Sequence, residues 1–72
     1  MDNDDLIYDH IDADQIEDGD QIVVDGELIE KVTVHDDPYD KWAVIIEGFS
    51  YETGDKVEHT LPADYQVGLW AL

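Results

Sequence analysis

An Asp-Gly pair at residues 25 and 26, flanked on both sides by β-branched runs, constrains this 72-residue chain more than any other feature. Gln21-Ile22-Val23-Val24 precedes the pair and Glu27 to His35 follows it. A two-residue hairpin turn needs positive φ at both central positions, which Asp and Gly tolerate best. The pattern predicts a β-hairpin. Along its second strand Leu28, Val32 and Val34 fall on one face, with Glu27, Ile29, Lys31, Thr33 and His35 on the other.

Further strands follow at short intervals. Asp36-Asp37-Pro38-Tyr39-Asp40 reads as a loop, and Trp42 to Tyr51 as a longer third strand in which Gly48 is a candidate bulge. Glu52-Thr53-Gly54-Asp55 is the next turn, Lys56 to Leu61 a fourth strand, Pro62 to Tyr65 a tight turn, and Gln66 to Ala71 a closing strand. Seventy-two residues are too few for a seven-stranded sandwich. The expected fold is therefore all-β, a small five-stranded SH3-like barrel over residues 11–72 with an acidic N-terminal arm over residues 1–10. In the arm, Asn3 to His10 permits a short helix with Asn3 as N-cap and Asp4 and Asp5 in its first turn, or an extended segment. About the first five residues are expected to fray.

The charge narrows the function classes. Twenty Asp and Glu stand against three Lys and no Arg, a formal net charge of −17. Such a surface repels phosphate backbones and anionic lipid, so the expected partners are basic, with no direct nucleic acid and no membrane. The acid is concentrated early: Asp2, Asp4, Asp5, Asp9, Asp12, Asp14, Glu17, Asp18 and Asp20 precede the first lysine. Leu6, Ile7, Tyr8, Ile11 and Ile16 interrupt that run with apolar groups that a disordered acidic tail would not need. No apolar run approaches the ~20 residues of a membrane span, and the N-terminus carries no basic export signal, so a cytoplasmic location is expected.

The segment Ile16-Glu17-Asp18-Gly19-Asp20-Gln21-Ile22, followed by Asp25-Gly26, resembles the opening of small SH3-like barrels, including the first domain of elongation factor P. Together with Thr60-Leu61-Pro62-Ala63-Asp64 it is also similar to short acidic proteins encoded by actinobacterial phages. The resemblance implies the barrel and, for a phage protein, the host cytoplasm. It transfers no functional residue, since the RNA-facing role of the translation factor conflicts with a −17 body.

Motifs for chemistry are sparse. Against the calcium-binding EF-hand spacing, Asp14, Asp18 and Gly19 fit, but Ile16 stands where an acid belongs and Asp25 replaces the bidentate Glu. His10, His35 and His59 have no paired ligand spacing. There is no Cys, Ser50 is the sole serine and lies outside any nucleophile motif, and no Gly-rich phosphate loop is present. Neither an enzyme, a metal site nor a cofactor is expected. Trp42, by alternation with Val44 and Ile46, and Trp70 on the last strand are expected in the core, whereas Tyr39 and Tyr51 are expected at the surface.

What remains is the charge itself. Surface scaling for 8.2 kDa gives about 4,500 Å², or roughly 270 Å² per net charge against roughly 110 Å² per charge on duplex DNA. The density of DNA is reached only if the acids gather on one face. The expectation is a small acidic binding protein that mimics nucleic acid and occupies the basic surface of a nucleic-acid-binding protein. The residues expected to carry it are Asp12, Asp14, Glu17, Asp18 and Asp20, whose i, i+2 pairs on a strand would match phosphate spacing, with Asp36, Asp37 and Asp40 around Tyr39 as a second patch. The alternative is a salt-adapted domain or a phage structural module without mimicry.

Overall fold

The computed structural model describes residues 3–72, so the fraying expected of Met1 and Asp2 and the roles expected of the Asn3 and Asp4 side chains lie outside the described residues. A 3₁₀ turn (Asn3–Leu6) leads into β1 (Ile7–Asp12), and a second 3₁₀ turn (Ala13–Gln15) precedes β2 (Ile22–Val24). Then come β3 (Glu27–Asp37), β4 (Asp40–Ser50), β5 (Lys56–Pro62) and β6 (Gln66–Trp70). All neighbours pair antiparallel in one sheet of order β1-β6-β2-β3-β4-β5. The fold is all-β and barrel-like, with six strands where five were expected. The sixth is β1, the extended form of the two allowed for Asn3 to His10, and it pairs with β6 from Ile7↔Trp70 to Asp12↔Gln66 with a slip at Tyr8.

The Asp25-Gly26 hairpin forms as its chemistry dictates. Asp25 has φ 51° and Gly26 φ 80°, and Val24↔Glu27 closes the ladder. The 11-residue strands β3 and β4 account for the 37 Å long axis, since a strand of that length spans about 36 Å.

The face assignment along β3 needs correction. Glu30 pairs with Phe49 and Thr33 with Glu47, so Lys31 and Val32 together oppose Gly48. The bulge is on β3, with Lys31 at φ 55°, and Gly48 lies across from it instead of forming it. One extra residue switches the side-chain parity. Ile29, expected on the polar face, is therefore fully buried together with Val32. A Cβ at Gly48 would meet Ile29 Cγ2 at 2.6 Å, Glu30 O at 3.0 Å and Val32 Cγ2 at 3.2 Å. Only glycine leaves room for both side chains.

Two apolar clusters result. The larger, on the concave face, joins Ala13, Ile16, Ile22, Val24, Ile29, Val32, Val44, Ile46 and Val67. Backbone bonds from Ala13 N to Tyr65 O (2.8 Å) and from Asp14 N to Ala63 O (3.0 Å) draw the β1 end of the sheet to the β5–β6 corner and close over this core. The smaller cluster, on the opposite face, is Val23, Leu28 and Trp70 with Leu6 and Ile7 against it. Trp70 Nε1 donates to Ile29 O (3.2 Å), and the ring meets Tyr51 edge-on at 5.1 Å. The indole thus buries its surface without stranding its N–H. No helix among the described residues is long and apolar enough to cross a membrane.

Candidate functional site

The sheet sorts the charge. Lys31 lies on β3, Lys41 on β4 and Lys56 on β5. The other half of the sheet, β1, β6 and β2 with the 13–21 connection, has no lysine and carries Asp9, Asp12, Asp14, Glu17, Asp18 and Asp20. With 4690 Å² of accessible surface and −17, the whole molecule has roughly 280 Å² per net charge, well below DNA. What distinguishes that half is the absence of lysine, since β3, β4, β5 and their turns carry many acids as well, Glu30, Asp36, Asp37, Asp40, Glu47 and Glu58 among them, partly offset by the three lysines.

Within the first acidic group, the phosphate-like strand spacing is absent. Asp12 ends β1 while Asp14 belongs to the second 3₁₀ turn. Asp18 and Asp20 bracket Gly19 (φ 94°) in a turn, so neither pair is held at an extended i, i+2 separation. Several of these carboxylates instead hold the backbone. Asp18 Oδ1 accepts from Val34 N (3.1 Å) and Asp20 Oδ2 from Glu17 N (2.9 Å), while Gly19 N donates to Val32 O (2.7 Å). The Glu17–Asp20 turn is thereby docked on the edge of β3 beyond the short β2. Asp12 Oδ1 accepts from Gln66 Nε2 (3.5 Å). Each bond restrains the carboxylate that accepts it. Asp14 and Glu17 are exposed.

The second group forms the tip of the β3–β4 hairpin. Asp37↔Asp40 is its last pair, around Pro38 and Tyr39. Asp37 Oδ1 accepts from Tyr39 N (2.8 Å), and Asp40 Oδ1 accepts from Trp42 N (2.9 Å). These are local side-chain turns that stiffen the loop. Tyr39 is 96% exposed, as expected. Trp42 is not in the core: it is 71% exposed. The cause is another register slip, because Asp36 pairs with Val44 while Asp37 pairs with Asp40, which leaves Lys41, Trp42 and Ala43 without partners on β3. Ala43 turns instead to Pro62 on β5, and Trp42 O accepts from Ala63 N (2.7 Å). Lys41 Nζ sits 5.4 Å from the centroid of the Trp42 ring.

Trp42 and Lys41 are the site residues that alternation missed. The repeated spacing Asp37-x-Tyr39 and Asp40-x-Trp42 was the available signal, since an Asp two residues before an aromatic can cap that aromatic's N–H. The docking of Asp18 against Val34, two residues before Asp36, places the first group beside the outer edge of β3 that leads to this tip. The outer face of β3, β4 and β5 presents a different surface: an open concavity of about 180 Å³ lined by Lys31, Thr33, Glu47, Phe49 and Lys56, where Lys56 pairs with Glu47 at 3.8 Å. Among the described residues, no three His, Cys, Asp or Glu side chains are grouped to hold a metal ion.

No family model matches the chain and no curated protein matches it. Among solved structures it is similar to a translation initiation factor eIF-5A family protein from Naegleria fowleri, with a TM-score of 0.62 and 18% identity. The match covers 92% of this chain and 48% of that one, so the chain spans about half the length of its neighbour. At that identity the likeness establishes a shared fold, the barrel of the initiation factor.

Proposed function

We propose that this is a non-catalytic binding protein of the cytoplasm whose lysine-free half presents carboxylates to a basic protein surface in place of nucleic-acid phosphates. The observation that carries the reading is the sorting of charge: every lysine lies on β3, β4 or β5. A one-signed face steers a basic partner at long range and loses affinity as salt screens it. The hydrogen-bonded carboxylates of Asp12, Asp18 and Asp20 add rigidity, which lowers the ordering cost of association. The structural neighbour is a translation initiation factor family protein, but direct contact with RNA would set −17 against another polyanion.

The test uses the full chain as bait in an extract of its source cells at about 50 and 300 mM salt, spanning Debye lengths from about 14 to 6 Å. Basic proteins recovered at the lower salt and released by duplex DNA support the reading. Asp14→Lys with Glu17→Lys, two exposed positions that spare the capped turn, should weaken capture at least tenfold. Captured partners that DNA fails to displace would end the mimicry proposal. The salt-adapted alternative is separated by unfolding in dilute buffer: a domain built for high salt would lose its fold there, whereas the proposal requires it to remain folded.

A further inference from the structure

The largest apolar groups that the fold leaves uncovered are Tyr39 and Trp42, and both lie on the β3–β4 hairpin tip. Scattered exposed aromatics need no explanation. These two differ in three respects. They lie three residues apart on one turn, among Asp36, Asp37 and Asp40. The backbone N–H of each aromatic is held by the aspartate two residues before it, and Pro38 fixes a further φ immediately before Tyr39. The Trp42 ring already has a cation over it, the Lys41 ammonium at 5.4 Å from its centroid, within the ~6 Å range of a cation–π contact.

We propose that the hairpin tip is an arginine-docking site for a basic protein partner, in which a partner guanidinium stacks on Trp42 against Tyr39 and donates to the flanking carboxylates, replacing Lys41. The inference rests on the reading that the partner is basic, but not on mimicry of nucleic acid. Arginine is the occupant that fits this chemistry. Its planar cation stacks on an aromatic face and donates in a fork to a carboxylate, whereas an ammonium is a compact, strongly hydrated point charge. Lys41 is then a built-in competitor, reached from the neighbouring residue and displaced when a better-matched cation arrives. The pre-set loop means that little order has to be gained on docking.

The two tryptophans make the test direct, because Trp70 is buried at 1% exposure and Trp42 is open to solvent. The full chain is titrated with an octa-arginine peptide and, separately, with octa-lysine, and the indole emission is followed. The expected result is a change in Trp42 emission, absent in Trp42→Phe, with the arginine peptide bound at least fivefold tighter than the lysine peptide. Trp42→Ala should weaken the arginine peptide at least tenfold. Lys41→Ala should tighten it about threefold, and by more than Lys31→Asn, which removes the same charge from the middle of β3, away from the tip, with a residue that tolerates positive φ. Equal binding by Trp42→Ala and the parent, both shown folded by Trp70 emission, would overturn the tip as the site. An equal gain from Lys41→Ala and Lys31→Asn would overturn the competitor role. A peptide-free dimer that Trp42→Ala abolishes would overturn the proposal by assigning the tip to a second copy of the chain. Loss of capture by Asp14→Lys with Glu17→Lys while Trp42→Ala binds normally would leave the charge reading standing and this one fallen. Retained Trp42 dependence with no DNA competition would do the reverse.

Discussion

Trp70 and Trp42 are the same residue in two strands of one sheet, and the sheet treats them oppositely. Trp70 is 1% exposed, bonded through Nε1 to Ile29 O and packed on Val23, Leu28 and Tyr51. Trp42 is 71% exposed and touches Lys41. Strand alternation alone would bury both. The difference lies in where the ladder slips: beside Trp70 the extra residue is Tyr8 on β1, so Trp70 keeps Ile7 as its partner, whereas Trp42 itself lies inside the slip between Asp37↔Asp40 and Asp36↔Val44. A side chain's address in a small barrel is thus set as much by the irregularities of its ladder as by its own hydrophobicity.

The largest break in that comparison should come from Trp70→Ala. Removing a fully buried aromatic costs about 3–5 kcal/mol, a large part of the stability of a 72-residue domain. Urea unfolding should show a collapsed midpoint or no native baseline, and a loss below about 1 kcal/mol would contradict the packing described. Gly48→Ala comes next. Its Cβ meets Ile29 Cγ2 at 2.6 Å and a backbone oxygen at 3.0 Å, so about 1–3 kcal/mol of overpacking strain is expected. A neutral result would mean that the β3 bulge relaxes freely. Asp40→Ala should cost only about 0.5–1 kcal/mol through the lost bond to Trp42 N; its sharper readout is slower tumbling of the Trp42 indole in the parent than in the variant, by fluorescence anisotropy decay. Trp42→Ala is the smallest. Its stability should stay within about 0.5 kcal/mol of the parent, and a larger fall would place the ring in a contact that the fold does not give it.

Much of the architecture was legible because turn chemistry is local. Asp25-Gly26 declared its hairpin, and Pro38 with its neighbouring aspartates declared the β3–β4 turn. What escaped notice depends on pairs distant in sequence. Nothing in Glu30-Lys31-Val32 announces a bulge, since a lysine at φ 55° is chosen by the strand across from it. The parity of Ile29 was therefore misjudged. Residues 1–10 were read as an acidic arm, helical or extended, because Ile7 and Ile11 amid the acids are thin evidence for a strand whose partner lies some sixty residues away, and the middle residues Tyr8, Asp9 and His10 are exposed in the fold. Of the candidate site, the acidic residues were legible by type and the i, i+2 bonds of Asp37 and Asp40 were signalled by spacing, but not the bonds that Asp18 and Asp20 make. Those bonds follow from tertiary contacts or from turn geometry that composition does not encode.

β2 is only three residues long, yet it is the strand that splices the β6–β1 ribbon to β3, meeting β6 at just Ile22↔Leu69 and Val23↔Gly68. A seam that narrow is where the molecule's breathing should concentrate. Solvent deuterons would reach the ribbon's amides together, as one cooperative block, before they invade the long hairpin. Any partner that clamps both banks of the seam would be felt as slowed exchange far from the residues it touches.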